Sequence, residues 1–169
     1  MSELRTNRIV PRDGLPSGSS GGIIQLKSVT HTEFESQALT GSGNFFDIPG
    51  MSVTITPTRA DSKILITVHV YASCEDAGVL GLMRDSTVIG AGAGGDAENS
   101  GFAMVRFTAT NLGSTFSTTY LDSPSTTSST TYKVRGRPTS GSNNLFINRR
   151  ASTDGYQLTS SITVMEVSG

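Results

Sequence analysis

Across residues 63–73 apolar and polar side chains alternate: Ile64, Ile66, Val68 and Val70 fall on one side, and Leu65, Thr67, His69 and Tyr71 on the other. Successive side chains of an extended chain point to opposite faces, so this spacing predicts a strand with one face in a core. The same text recurs along the chain. Ile24 and Leu26 alternate with Gln25 and Lys27 up to His31, and Phe45, Phe46 and Ile48 precede a Pro49-Gly50 turn. Val53 and Ile55 run up to Pro57, and Leu80, Leu82 and Arg84 turn through Asp85-Ser86 to Val88 and Ile89. Further runs occupy residues 102–108, 116–122, 130–137, 145–149 and 160–167. No stretch carries the apolar spacing of a helix over even two turns. The expected fold is therefore all-β: an antiparallel, jelly-roll-like β-sandwich of about nine or ten strands over residues 23–169, preceded by an extended N-terminal arm.

The last run is apolar on both sides, with Ile162 and Val164 on one face and Met165 and Val167 on the other. A sheet face that looks at water carries polar residues, so a strand greasy on both faces predicts a second subunit. These four residues are the expected subunit interface of a homotrimer with the terminal strand near its axis. Composition agrees with such a reading: only 35% of residues are hydrophobic, while serine and threonine fill roughly a quarter of the chain. Hydroxyl-rich outer strand faces, completed by identical partners, account for both figures.

Residues 1–22 differ from the rest. Arg5, Arg8 and Arg12 alternate with short apolar pieces, and Pro11 and Pro16 disfavour helix and extend their neighbours. Ser17-Gly-Ser-Ser-Gly-Gly then forms a flexible connector. This predicts an arm that docks on a larger assembly through Arg5, Arg8, Ile9, Val10 and Pro11, hinged to the sandwich.

Thirteen basic against fourteen acidic residues give a net charge of −1 and a pI near 6.1, so no whole-chain field draws the protein to nucleic acid. Cys74 is alone, which leaves no internal disulfide and no cysteine-based zinc site. No N-terminal apolar segment and no 18-residue apolar run is present, so the expectation is a protein without a secretory signal or membrane insertion.

Chemistry-bearing motifs are weak. Ala91-Gly-Ala-Gly-Gly-Asp lacks the Gly-Lys-Ser/Thr and the helix of a phosphate loop, and Asp96 with Glu98 falls short of a calcium ligand set. His31 or His69 could gather on a trimer axis, but an ordinary hydrogen-bonded histidine is the plainer reading. Serine has no nucleophile elbow, and Glu75, Asp76, Asp96, Glu98 and Asp122 read as solubilising loop acids rather than a glycosidase pair. The expectation is no enzyme activity, no cofactor and no metal. Tyr132, Arg135, Arg137, Arg149 and Tyr156 crowd the C-terminal third, and arginine with tyrosine is the pairing enriched at interfaces. They are the expected subunit or outer-surface contacts, the latter with a host glycan.

The chain resembles small β-sandwich proteins that tailed bacteriophages of marine and freshwater origin encode as tail-fibre or structural proteins. The resemblance rests on Arg8-Ile-Val-Pro-Arg-Asp-Gly-Leu-Pro with the Gly-rich hinge and Gly22-Ile-Ile-Gln, on Gly50-Met-Ser-Val-Thr-Ile-Thr-Pro-Thr with Ser62-Lys-Ile-Leu-Ile, and on Met83-Arg-Asp-Ser-Thr-Val-Ile-Gly. Leu121-Asp-Ser-Pro through Thr131-Tyr-Lys-Val, Ile147-Asn-Arg and Ser161-Ile-Thr-Val-Met-Glu-Val complete it. It implies a trimeric virion surface protein anchored to other virion proteins by its N-terminus, serving host attachment as a tail fibre, or else decorating the capsid as a cement or head-fibre protein. A lectin-like carbohydrate-binding module is the more remote alternative.

Overall fold

The computed structural model describes residues 22–33, 45–93, 100–109, 111–139, 143–152 and 155–168. Arg5, Arg8, Ile9, Val10 and Pro11 of the expected arm lie outside them, as do Asp96 and Glu98. Ten strands and no helix make up the described residues: β1 (Ile23–His31), β2 (Phe46–Ile55), β3 (Lys63–Cys74), β4 (Ala77–Arg84), β5 (Thr87–Ile89), β6 (Ala103–Arg106), β7 (Ser114–Asp122), β8 (Thr130–Pro138), β9 (Leu145–Ile147) and β10 (Ser160–Val167).

They form two antiparallel sheets packed face to face. Sheet A has the order β1-β10-β3-β7, with β9 beside β3; sheet B has the order β2-β8-β4-β5, with β6 beside β4. Ala72 of β3 pairs with Ser114 of β7 and with Ile147 of β9, so β9 continues the line of β10 and leaves β7 as the sheet's edge. The pairings β1 with β10, β2 with β8, β3 with β7 and β4 with β5 and β6 describe one long antiparallel ribbon. Wound so that successive pairs alternate between sheets, that ribbon is the jelly-roll arrangement.

The core follows from the alternation. Ile64, Ile66, Val68 and Val70 of β3 have no exposed surface, and they meet Leu80, Leu82, Tyr132 and Val134 from sheet B. Each such side chain contributes about 1.5–3 kcal/mol of burial. β10 behaves the same way on its inner side, where Ile162 and Val164 are fully buried.

One predicted turn is a bulge instead. β2 runs straight through Pro49-Gly50, and its register on β8 slips between Asp47 and Ser52. Gly50 has φ of +69°, and a Cβ there would lie 2.4 Å from Nδ1 of the buried His31. The Pro-Gly pair therefore bends an edge strand around a histidine rather than ending it.

Candidate interaction surfaces

Register places the outward residues of sheet A in rows. Leu26 of β1, Met165 of β10, Leu65 of β3 and Leu121 of β7 stand side by side across all four strands. Ile23 and Val167 form a pair alongside and end at Lys63. The leucine row spans about 15 Å at ordinary strand spacing. Leu26 is 55% exposed, Leu121 54% and Ile23 59%, so the apolar band faces solvent.

Hydroxyls take over in the next rows. Ser28, Thr163, Thr67 and Thr119 form one, and Thr30, Ser161, His69 and Ser117 the next. Ser28 and Thr163 share a hydrogen bond of 2.8 Å, as do His69 Nδ1 and Ser117. Short β-hydroxyl side chains fit a pleated surface and hold few degrees of freedom to lose. Apart from Lys63 and the His69 ring, these rows carry no ionisable group.

The outer face of sheet B has a different character. Lys133 and Asp47 form an ion pair, and Thr54 and Thr131 share a hydrogen bond of 2.9 Å. The Arg135 guanidinium lies 3.8 Å above the Phe45 ring, and Arg137 lies 5.6 Å from the same ring. Arg135 crosses β4 at Gly81, where a Cβ would come within 2.9 Å of its Nε. Burial lowers the proton affinity of Arg135, and the neighbouring Arg137 charge adds to that, while Asp47 opposes both. These arginines are packed flat rather than projecting.

Three polar clusters lie in and around the sandwich, and the first of them ties the two sheets together. Arg84 of β4 donates to both oxygens of Asp122 of β7 at 2.9 Å, and the Tyr132 hydroxyl of β8 donates to the same carboxylate at 2.7 Å. Burial, and then the bond to the anionic Asp122, push the Tyr132 hydroxyl well above its ordinary value. Beyond β10's core residues, Glu166 is fully buried and accepts from Gln25 at 2.6 Å and from the backbone and hydroxyl of Thr58 at 2.8 and 2.7 Å. Burial alone would raise its carboxyl, but these hydrogen bonds outweigh it and hold the group below the usual range. Asn148, at φ of +60°, donates to the carbonyls of His31 and Glu33 and accepts from Ser160.

Several expectations are corrected by these positions. Ile162 and Val164 fill the core between the sheets and are not available to a second subunit; of the four expected interface residues, Met165 and Val167 face outward. The alternation was sound, but the sandwich itself buries one of the two faces. Tyr132 is likewise an interior residue with its hydroxyl committed to Asp122, not an outer contact. Arg137 is only 8% exposed.

The arginines and tyrosines of the C-terminal third do not form one patch. Arg135 and Arg137 lie on sheet B, whereas Arg149 stacks on Phe146 at 4.9 Å and Arg150 on the 62% exposed Tyr156 at 4.4 Å, in the region between β9 and β10. The loop acids also separate: Glu75 accepts from Asn144, Asp76 from Asn143, and Asp122 is the buried clamp. His69 stays on the hydroxyl face, and His31 is interior. Among the described residues no three His, Cys, Asp or Glu side chains gather as a metal site.

Leu65 reads as the leucine off the core phase of its run, whereas Leu26 reads with Ile24 as the apolar phase of its own and is turned outward by the register of β1 on β10. Strand order is what brings them together. No protein family model matches the chain, and no curated protein is similar to it.

Proposed function

We propose that this chain is a structural protein of a bacteriophage virion, a jelly-roll knob that associates with copies of itself through the outer face of sheet A and is docked to other virion proteins by its N-terminal arm. The observation that carries the reading is the row Leu26, Met165, Leu65 and Leu121, an exposed apolar band bordered by neutral hydroxyls. Water penalises such a band, and an uncharged band is complementary to its own copy. Met165 and Val167, the outward half of the last strand, sit within it and supply the subunit contact of a homotrimer. Jelly rolls are common in viral coat and lectin domains, an analogy of architecture that supports the reading without carrying it.

The knob's work is attachment, in which several weak contacts on one particle combine through effective concentration. Tail-fibre duty follows from the resemblance of the sequence, and host-surface glycan is the partner it implies. Sedimentation of the full chain should give a trimer, or a hexamer where two trimers pair, that Leu26→Ser with Leu121→Ser converts to smaller species. Antibody against the chain should label purified particles from infected cells at head or tail. A monomeric wild type overturns the subunit contact, and particles that lack the chain overturn the virion assignment.

A further inference from the structure

Among the described residues no strand pairs with the outer side of β7, and this edge is built differently from the other edges of the sandwich. β1 breaks register between Ile23 and Gln25 and carries the exposed Lys27, and β2 is bent by its Pro49-Gly50 bulge. β5 and β6 are three and four residues long. Bulges, lysine, proline and shortness are the devices that stop a sheet edge from pairing with another chain. β7 has none of them: its nine residues, Ser-Thr-Phe-Ser-Thr-Thr-Tyr-Leu-Asp, run in unbroken register on β3 from Asp122 to Ser114. It does carry one inward-pointing charge, a further such device, but that charge is Asp122 at the strand's last residue, held by Arg84 and away from the central stretch Phe116 to Tyr120.

The strand is also close to a palindrome about Thr118. Set antiparallel against an identical strand, Thr118 faces Thr118, Ser117 faces Thr119, and Phe116 faces Tyr120. Hydroxyl pairs and aromatic pairs directly opposite one another are favourable cross-strand neighbours, and no like charges meet. Because Ser117 and Thr119 both stand on the outer face, the two-fold axis is perpendicular to the sheet. The outer faces of both copies then lie on the same side.

We infer that β7 pairs with β7 of a second copy of this chain, centred on Thr118, joining the four strands β1-β10-β3-β7 of each copy into one continuous eight-stranded sheet. The contact is main-chain strand addition about a two-fold axis and does not depend on the virion reading; Leu121 belongs both to β7 and to the band, and together with a threefold contact the pairing makes a hexamer of paired trimers. It doubles the width of the hydroxyl and leucine face that each knob presents.

The pairing predicts a register-specific cross-link. Ser117→Cys and Thr119→Cys chains, mixed and mildly oxidised, should form a disulfide dimer, whereas neither alone should, since only 117 and 119 stand opposite. Cys74 is buried and stays out of the reaction. In a second test on the full chain, Ser117→Lys with Thr119→Lys sets lysines against lysines twice per pair and should weaken self-association by roughly tenfold or more. Both positions are exposed, so an unchanged thermal midpoint will report an intact fold. Failure of the mixed chains to cross-link, equal cross-linking by either chain alone, or self-association indifferent to the lysine pair would each overturn the inference.

Discussion

The two outer faces of this sandwich are made by the same alternation on the same fold, yet they are finished in opposite ways. Sheet B meets its charges within itself: Lys133 pairs with Asp47, Arg135 lies against Phe45 where Gly81 leaves room, and Arg137 lies 5.6 Å from the same ring, though Met104 of β6 stands 64% exposed in the row of Val79 and Arg137. Sheet A leaves leucines and a methionine open to water among neutral hydroxyls. A face whose side chains satisfy one another has little left to offer a partner, whereas an unsatisfied apolar face lowers its free energy by being covered. The difference assigns stability to one face and association to the other, and each prediction below tests that division.

The largest effect should come from the clamp that holds both faces in place. Asp122→Ala strands the partly buried Arg84 guanidinium and the interior Tyr132 hydroxyl together, and removal of one partner of a buried ion pair costs about 3–5 kcal/mol. Denaturant unfolding should show that loss, and association through sheet A should weaken with it. If stability is unchanged, the two faces are not held by a common clamp.

Acid should act next, beneath the band itself. Glu166 neighbours Met165 and Val167, and its carboxyl is held below the ordinary value of 4.5 in the folded chain. The unfolded chain therefore binds the proton more tightly, so this group's contribution is complete above the unfolded value and is lost as pH falls through the folded one. Glu166→Gln places an amide donor among the donors of Gln25 and Thr58 and should cost about 1–3 kcal/mol at neutral pH. Its unfolding free energy, measured from pH 7 to pH 2, should converge on that of the wild type in acid; parallel curves would remove Glu166 from the account.

On sheet B, Phe45→Ala withdraws the ring from beneath two guanidinium groups and should cost about 1 kcal/mol. Thermal unfolding reads this directly. A loss of oligomer in place of a loss of stability would reverse the roles given to the two faces.

The contrast was half legible in the sequence. Period-two alternation in β3 separated Ile64, Ile66, Val68 and Val70 from Leu65, Thr67 and His69 without ambiguity, and the all-β sandwich followed. What alternation does not carry is strand order. Leu26, Leu121 and Met165 lie in segments far apart in the chain, and only antiparallel register sets them in one row. For the same reason β10 read as two exposed apolar faces when the fold buries one, and Tyr132 read as a surface aromatic when its hydroxyl ends on Asp122. Polar clamps between layers depend on pairs such as Arg84 and Asp122 that no local spacing links.

The smallest effect on stability is expected where the effect on association is greatest. Leu121→Thr and Met165→Thr exchange band residues for the β-branched hydroxyl side chains that already fill the neighbouring rows, so the strands keep their propensity and the core is untouched. Surface substitutions of this kind fall within about 0.5 kcal/mol of the parent. The double variant should therefore unfold at nearly the wild-type denaturant midpoint while sedimenting as a smaller species. If it unfolds markedly earlier at a concentration where the wild type is monomeric, these two side chains stabilise the isolated sandwich. The outer face of sheet A would then be part of the fold's own packing, and the division between the two faces would collapse.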